Sequence, residues 1–286
     1  MLAADAAFAR GKIELAETVC RRVLAVDCEN REALALLLCV LTRQNRHAEA
    51  IAFVDGVLAH FRAVQESNTI VHALLALQHR GFAPRGMLDI GAYQGEFTMF
   101  ARQMFPAASV VMVEPQEQKQ EFLHVLATDL GGDCHVRQCL LGERIRSGVE
   151  FHQLDTPFGS TGSSIYPEKS DFPRKVLTLP MRTVDDLVAE LPGRAFDLMK
   201  LDVQGAELDV LQGAKETIHG VEVLIAELSL HEVNHGAPRL ADVTKALDDL
   251  DFAMFDVLTL PRTDRLMLQV DAVFVRKTSP LWKRGA

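Results

Sequence analysis

The stretch "MLDIGAYQGEFT", Met87 to Thr98, decides the fold. Met87–Ile90 reads as a short strand, Gly91 and Gly95 interrupt it, and Phe97–Met104 has helical spacing. A strand, a glycine loop and a helix in this order open a βα unit, with ligands at the carboxyl ends of the strands. Glycines at such a turn let the backbone approach a ligand closely. The dinucleotide fingerprint Gly-x-Gly-x-x-Gly is not met, because Tyr93 occupies one glycine position and the last glycine is absent. Asp89 lies in the strand-to-loop turn, where a pyrophosphate would be repelled. The next strand, Ser109–Val113, runs into Glu114, at the position where a carboxylate accepts from ribose hydroxyls. Two acids flanking the loop suit a nucleoside ligand without phosphates and with a positive charge. S-adenosylmethionine answers that description, its α-amino group near Asp89 and its ribose at Glu114.

Working outward, strands and helices alternate. Helices are expected at Gln118–Asp129, Leu208–Thr217 and Leu240–Leu250, and strands at Cys134–Leu141, Phe196–Val203 and Val221–Leu228. A pair of strands near Ala253–Val257 and Asp271–Val275 closes the chain. The pattern predicts an α/β fold with a mainly parallel sheet. Residues 152–180 break it, being rich in Ser, Thr, Gly and Pro, and read as a long loop able to fold over the sheet edge.

The blocks "GFAPRGMLDIGAYQGEFT", "VEPQ", "TVDDL", "FDLMKLDVQGAELDVLQGA", "AELS" and "DAVFV" resemble the FkbM family of S-adenosylmethionine-dependent methyltransferases over roughly Gly81 to Val275. The "KLDVQGAE" block is the most specific of them. The resemblance implies a class I, Rossmann-like methyltransferase fold with a seven-stranded sheet and helices on both faces. It implies methyl transfer to a hydroxyl of a sugar, a glycan or a glycosylated secondary metabolite. Two residues depart from it: Tyr93 stands where a small polar residue is common, and Gln204 where Glu is common. The cofactor set expected on this basis is Asp89, Gly91, Ala92, Tyr93, Gly95, Glu114, Pro115, Cys139, Leu140 and Asp202.

Methyl transfer to oxygen is an in-line displacement, so positioning and removal of the hydroxyl proton are what the protein must supply. Asp202, at a strand tip beside the methyl group in this fold, is the first candidate for base or orienter. Glu207 can turn back to the same space, and reads equally as an acid in the first turn of a helix. Glu227 converges from the next strand, and His231 follows it as the group with an ordinary pKa near neutrality. Lys200 points away from Asp202 or lies beside it, depending on the pleat, and reads equally as a packed, snorkelling lysine. Ser163 and Ser164 are candidate acceptor contacts. The acids could bind Mg²⁺, but no tight Asp-Asp pair stands at the site, and no metal is assigned. Two other readings stay open: a nucleotide-binding enzyme of another class, and an adaptor fused to a catalytically weak methyltransferase fold.

Residues 1–64 are unlike the rest, which starts at about residue 65. They lack proline and carry apolar residues at helical spacing. Sliding the segment by 34 residues sets Lys12 on Arg46, Ala16 on Ala50, Val19 on Phe53 and Val23 on Val57. Thirty-four is the tetratricopeptide period. "GKIELAETVCRRVLAVDCEN" (residues 11–30) resembles the second helix and exit turn of such a repeat, with Cys28 in place of the usual proline. Two units bury too little alone, so this segment must pack on the rest of the chain or serve as a docking or dimerisation piece.

The 286-residue chain has a net charge of −9 and no basic tract, which speaks against nucleic acid as a partner. Its five cysteines, Cys20, Cys28, Cys39, Cys134 and Cys139, have no Cys-x-x-Cys spacing, which speaks against zinc or a disulfide scaffold. No run reaches membrane-spanning length, and a cytoplasmic protein is expected.

Overall fold

The computed structural model describes residues 2–26, 30–63, 70–155, 160–191, 193–258 and 267–283. Helices α1 (Leu2–Ala9), α2 (Ile13–Val26), α3 (Arg31–Arg43), α4 (His47–Ala63) and α5 (Ile70–His79) come first. Then follow β1 (Gly86–Ile90), α6 (Glu96–Met104), β2 (Ser109–Val113), α7 (Glu117–Leu130), β3 (Cys134–Arg137), β4 (Leu140–Leu141), β5 (Arg146–Leu154) and β6 (Arg174–Arg182). The remainder is α8 (Val184–Ala189), β7 (Leu198–Leu201), α9 (Glu207–Gln212), β8 (Val223–Ser229), α10 (Leu240–Asp249), β9 (Phe252–Val257) and β10 (Gln269–Arg276).

Seven strands form one sheet in the order β3-β2-β1-β7-β8-β10-β9. Strands β1, β2, β3, β7 and β8 pair in parallel, and β10 runs antiparallel to both β8 and β9. This is the class I, Rossmann-like methyltransferase arrangement. Strand order reverses between β1 and β7, so a crevice opens there at the carboxyl ends of the parallel strands.

Period-two alternation sorts the strand residues into two cores. Met87, Val110, Met112 and Ile225 face one core, together with α1–α7. Leu88, Ile90, Val111 and Met199 face the other, together with α8–α10. Both faces are covered, which is why the parallel strands read as continuous apolar runs.

The N-terminal helices belong to the first of these cores. Leu36, Leu37 and Leu41 on α3 are fully buried. Phe8 of α1 meets Phe122 of α7 with ring centroids 6.1 Å apart. The apolar stripe of residues 1–64 is therefore packed against the rest of the chain. Cys28 lies outside the described residues.

The long loop expected at 152–180 is strand at its two ends, 152–154 and 174–180, and irregular among the described residues between them. Its two ends, β5 and β6, pair antiparallel, and β4 joins β6 in a second, three-stranded sheet. The turn-rich composition between the ends masks an alternation that buries Phe151 and Met181 around Leu140. The irregular part, 160–173, is strapped down as an arm. Lys169 N donates to Val233 O (2.9 Å), His235 N to Pro167 O (2.8 Å) and Asn234 Nδ2 to Tyr166 O (2.8 Å). The strand expected at Cys134–Leu141 splits at Gln138, so β3 lies in the large sheet and β4 in the small one.

Candidate active site

A cavity of about 810 Å³ lies over the carboxyl ends of β1, β2 and β7, under the arm. At one end the loop after β1 crosses it. Gly91 has φ +79°, and a Cβ there would stand 1.9 Å from the Asp202 carbonyl oxygen. Gly95 has φ +77°, and its Cβ would press on Leu126 at 2.3 Å. Both positions therefore require glycine, one to seat the loop on the tip of β7 and the other to seat α6 on α7.

Tyr93 is held at φ +48°, and its amide donates to Glu114 Oε2 (2.9 Å). Its ring lies under Lys119 Nζ (3.8 Å), and its hydroxyl accepts from Ser160 N (3.4 Å). Glu114 Oε1 accepts from Gln116 N (3.0 Å). Burial pushes this carboxyl up to about 7, against the pull of the Gln116 and Tyr93 amides. A carboxylate oxygen accepts more than one hydrogen bond, so Glu114 keeps capacity for a ligand hydroxyl.

Asp89 sits behind the loop, fully buried. Its Oδ2 accepts from Thr98 Oγ1 (2.7 Å), while Oδ1 has no hydrogen-bond partner among the described residues. Burial raises its pKa. A glycine cradle closed to any side chain, a ribose-reaching carboxylate and an orphaned acid behind the loop together fit S-adenosylmethionine.

At the other end charged groups gather on one pleat. Asp89 is the register partner of Lys200 across β1 and β7, and Asp271 is the partner of Glu227 across β10 and β8. Lys200 Nζ donates to Asp202 Oδ2 (2.9 Å), and Gln204 Nε2 to Asp202 Oδ1 (2.9 Å). Gln204 Nε2 also donates to Glu227 Oε2, as does Gln269 Nε2 (3.0 Å). Gln204 holds φ +54°, an uncommon backbone state for a side chain of its size.

Burial alone would lower the Lys200 pKa, but Asp202, Asp89 and Asp271 hold it above its usual value. Glu227 is raised well above the carboxylate range by burial, then by Asp202 and Asp271, with Lys200 opposing. Its side chain nonetheless reaches the cavity surface. A buried carboxyl with a raised pKa that still reaches the cavity is a candidate for proton transfer.

The expected site residues separate in space. Gly91, Ala92, Tyr93, Glu114, Pro115, Cys139, Leu140, Asp202 and Glu227 line the cavity, as do Ser163 and Ser164. Both serine hydroxyls are used by the arm: Ser163 Oγ donates to Ser160 O (2.7 Å), and Ser164 Oγ to Val203 O (3.4 Å). Asp89 and Gly95 support the loop from behind.

Glu207 and His231 are not among the lining residues. Glu207 Oε1 accepts from Gly205 N (3.1 Å) and Val203 N (3.3 Å), so it braces the turn after β7, and burial pushes its carboxyl up to about 7. His231 is exposed in the loop after β8.

Lys200 enters the site more closely than expected, and Gln204, Gln269 and Asp271 were not foreseen. An acid inside the otherwise apolar "DAVFV" strand is the sequence signal for Asp271. Among the described residues no group of three or more His, Cys, Asp or Glu side chains is arranged to hold a metal ion. No helix among them is long and apolar enough to cross a membrane.

A family model described as methyltransferase FkbM domain matches residues 89–254. No curated protein matches the chain. Among solved structures, 1,6-didemethyltoxoflavin-N1-methyltransferase of Burkholderia thailandensis with bound S-adenosylhomocysteine is similar at 14% identity and a TM-score of 0.42, covering 82% of this chain and 89% of that one. Magnesium protoporphyrin IX methyltransferase of Synechocystis PCC 6803 with bound S-adenosylmethionine is similar at 15% identity and a TM-score of 0.41, covering 72% and 76%. An O-methyltransferase family protein of Burkholderia thailandensis is similar at 11% identity and a TM-score of 0.40, covering 86% and 59%.

Proposed function

The chain belongs to the FkbM methyltransferase domain family, a family that uses S-adenosylmethionine, and we propose that it is an O-methyltransferase acting on a hydroxyl of a sugar, a glycan or a glycosylated secondary metabolite. The observation that carries this reading is the two-ended cavity. One end has a glycine cradle and Glu114. The other has hydrogen-bonding groups suited to a hydroxyl, Asp202, Gln204, Glu227 and Gln269.

Bound S-adenosylmethionine supplies an electrophilic methyl carbon on a cationic sulfur. The backbone of Gly91–Tyr93 and the Glu114 carboxylate hold its nucleoside and tail. Pro115, Cys139 and Leu140 supply the wall at that end. The acceptor hydroxyl is received among Gln204, Gln269 and Glu227. Because both amides grip Glu227 Oε2, its Oε1 is the atom offered to the departing proton. Asp202 has both oxygens engaged, by Lys200 and by Gln204. Its role in this reading is to position Gln204 and Lys200 rather than to take the proton. Ser163 and Ser164 shape the arm over the acceptor.

Helices α1–α4 read as two tetratricopeptide-like units. Ile13 and His47, which open α2 and α4, are 34 residues apart. Gly11 and Asn45, also 34 apart, turn the chain before them at φ +71° and +58°. Any protein partner or second copy would meet the outer surface of these helices, since the inner one is buried against α6 and α7. The free thiols of Cys20, Cys39, Cys134 and Cys139 suit the cytoplasm.

The test is transfer of tritium from methyl-labelled S-adenosylmethionine to a panel of monosaccharides, oligosaccharides and glycosides. Label in a methyl ether, lost in Glu227→Gln while S-adenosylhomocysteine affinity is kept, is the expected result. Label that appears only on amines would overturn the choice of oxygen.

A further inference from the structure

The N-terminal helices do more than cover α6 and α7. Val23 near the end of α2, Asn30 and Glu32 at the start of α3, and Ile70 at the start of α5 line the same cavity as Gly91, Tyr93 and Glu114. The first three belong to the repeat-like segment, which its sequence marks only for packing or docking. Their place is fixed locally. The Asn30 side chain accepts from Ala33 N (3.1 Å) and caps α3, and Glu32 stands half-buried in the turn so capped.

The arm comes down on the cofactor end from another side. Ser160 Oγ donates to Gln116 Oε1 (2.5 Å), and Gln116 N donates to Glu114 Oε1 (3.0 Å). Tyr93 spans the space between arm and helices. Its amide is on Glu114 Oε2 (2.9 Å), its ring lies under Lys119 Nζ (3.8 Å), and its hydroxyl accepts from Ser160 N (3.4 Å).

A hydroxyl that accepts one hydrogen bond still has its proton to give. Glu32 is the carboxyl on which it acts. Burial and Asp5 raise the Glu32 pKa, while Lys119 and a hydrogen bond from the Tyr93 side chain oppose the rise. One residue thus meets the ribose-reaching acid through its backbone, and the arm and α3 through its tip. A side chain the size of serine at this position would reach neither. The backbone carries a cost for it: Tyr93 is held at φ +48°, a state that a bulky residue keeps only where its surroundings over-determine it.

We infer that helices α2 and α3 form a wall of the cofactor site, and that Tyr93 and Glu32 are positioning residues that close this wall and the arm over the ribose end of S-adenosylmethionine. The inference rests on the cofactor assignment and is independent of which acceptor is methylated. It gives the helical segment a part in ligand binding that a docking or dimerisation piece would not have.

Calorimetric titration of the full chain with S-adenosylhomocysteine and with adenosine tests this. Tyr93→Phe keeps the ring under Lys119 and removes the hydroxyl, and Glu32→Ala removes the carboxyl. Each should lose roughly fivefold in affinity for both ligands, which share the ribose. Glu32→Gln keeps an acceptor for the hydroxyl and should stay within about twofold of wild type. The double variant Tyr93→Phe, Glu32→Ala should lose about as much as Tyr93→Phe alone, because the two groups act as a unit. Arg46→Ala, in the same helical segment but not among the cavity-lining residues, should bind as wild type does.

Unchanged affinity in either single variant, folded by circular dichroism, overturns the inference. So do losses that add in the double variant, or a loss in Glu32→Gln equal to that in Glu32→Ala, since both would mark separate structural damage. The Glu32 variants alone decide the matter should Tyr93→Phe fail to fold. A loss for S-adenosylhomocysteine with none for adenosine would overturn the placement of the wall at the ribose. Failure of wild type to bind either ligand would overturn the cofactor assignment and this inference with it, whereas binding without sugar methylation would remove only the acceptor reading.

Discussion

Helix α3 and the strand-tip cluster are both buried, and they are built on opposite terms. Helix α3 places Leu36, Leu37, Val40 and Leu41 in the core with no exposed surface to speak of. Burying such side chains stabilises the fold by roughly 2 kcal/mol each. The strand tips bury Asp89, Lys200, Glu207 and Asp271 and enclose much of Asp202 and Glu227. Removing those groups from water opposes folding, and their mutual pairing offsets it only in part. One region holds the molecule together, and the other is kept for what it binds.

The comparison can be broken most forcefully where the two requirements meet. In Gly91→Ala the new Cβ would lie 1.9 Å from the Asp202 carbonyl, at a backbone φ of +79°. We expect a loss of about 4 kcal/mol from strain and overpacking together with loss of S-adenosylhomocysteine binding, read by urea unfolding and calorimetry. A near-native midpoint would show that the loop can lift away from β7.

Leu37→Ala acts on the other region. It should cost about 3 kcal/mol, while the folded fraction binds cofactor as wild type does. A selective loss of affinity would mean that Leu37 serves the site as well as the core.

A third change separates the regions by pH. Glu227 binds its proton more tightly in the folded chain than in the unfolded one, because burial, Asp202 and Asp271 disfavour its charge. That stability is present below the unfolded pKa of about 4.3 and is lost as pH rises through the raised folded value. Glu227→Gln does not titrate. Relative to wild type it should therefore raise the melting temperature of the ligand-free chain by a few degrees at pH 8.5, and by less at pH 5. Equal shifts at both pH values would contradict the burial of this charge.

The smallest effect is expected near the surface, where the half-exposed Arg46 pairs with Glu17 (2.7 Å) and the exposed Glu49 (2.7 Å). Arg46→Ala should move the melting temperature by less than about 1 °C.

The same contrast governs what the sequence reveals. Apolar periodicity is local, so α3, β1, β2 and the closing strands could be read directly, and so could the glycine loop with Glu114. The hairpin of β5 and β6 could not. Its alternation is interrupted by the Ser-, Thr- and Gly-rich arm, and its partner is the two-residue strand β4. Around the site, Asp202 and Glu227 were visible as acids ending apolar runs. Their partners were not, because Gln204 and Gln269 are ordinary polar residues 65 positions apart that only the order β7-β8-β10 brings together. Glu207 looked free to enter the cavity until the turn after β7 claimed it for two backbone amides. Sequence shows which groups are ionisable, and the fold decides which of them are used internally.

The central claim is that one cavity has a cofactor end at Glu114 and an acceptor end at Glu227. It is tested most directly by calorimetric binding of S-adenosylhomocysteine to wild type, Glu114→Ala and Glu227→Gln in parallel. Wild type should bind at one site per chain, Glu114→Ala should lose at least about tenfold in affinity, and Glu227→Gln should stay within about twofold. Equal losses in both variants, or full affinity in Glu114→Ala, would contradict the division of the cavity.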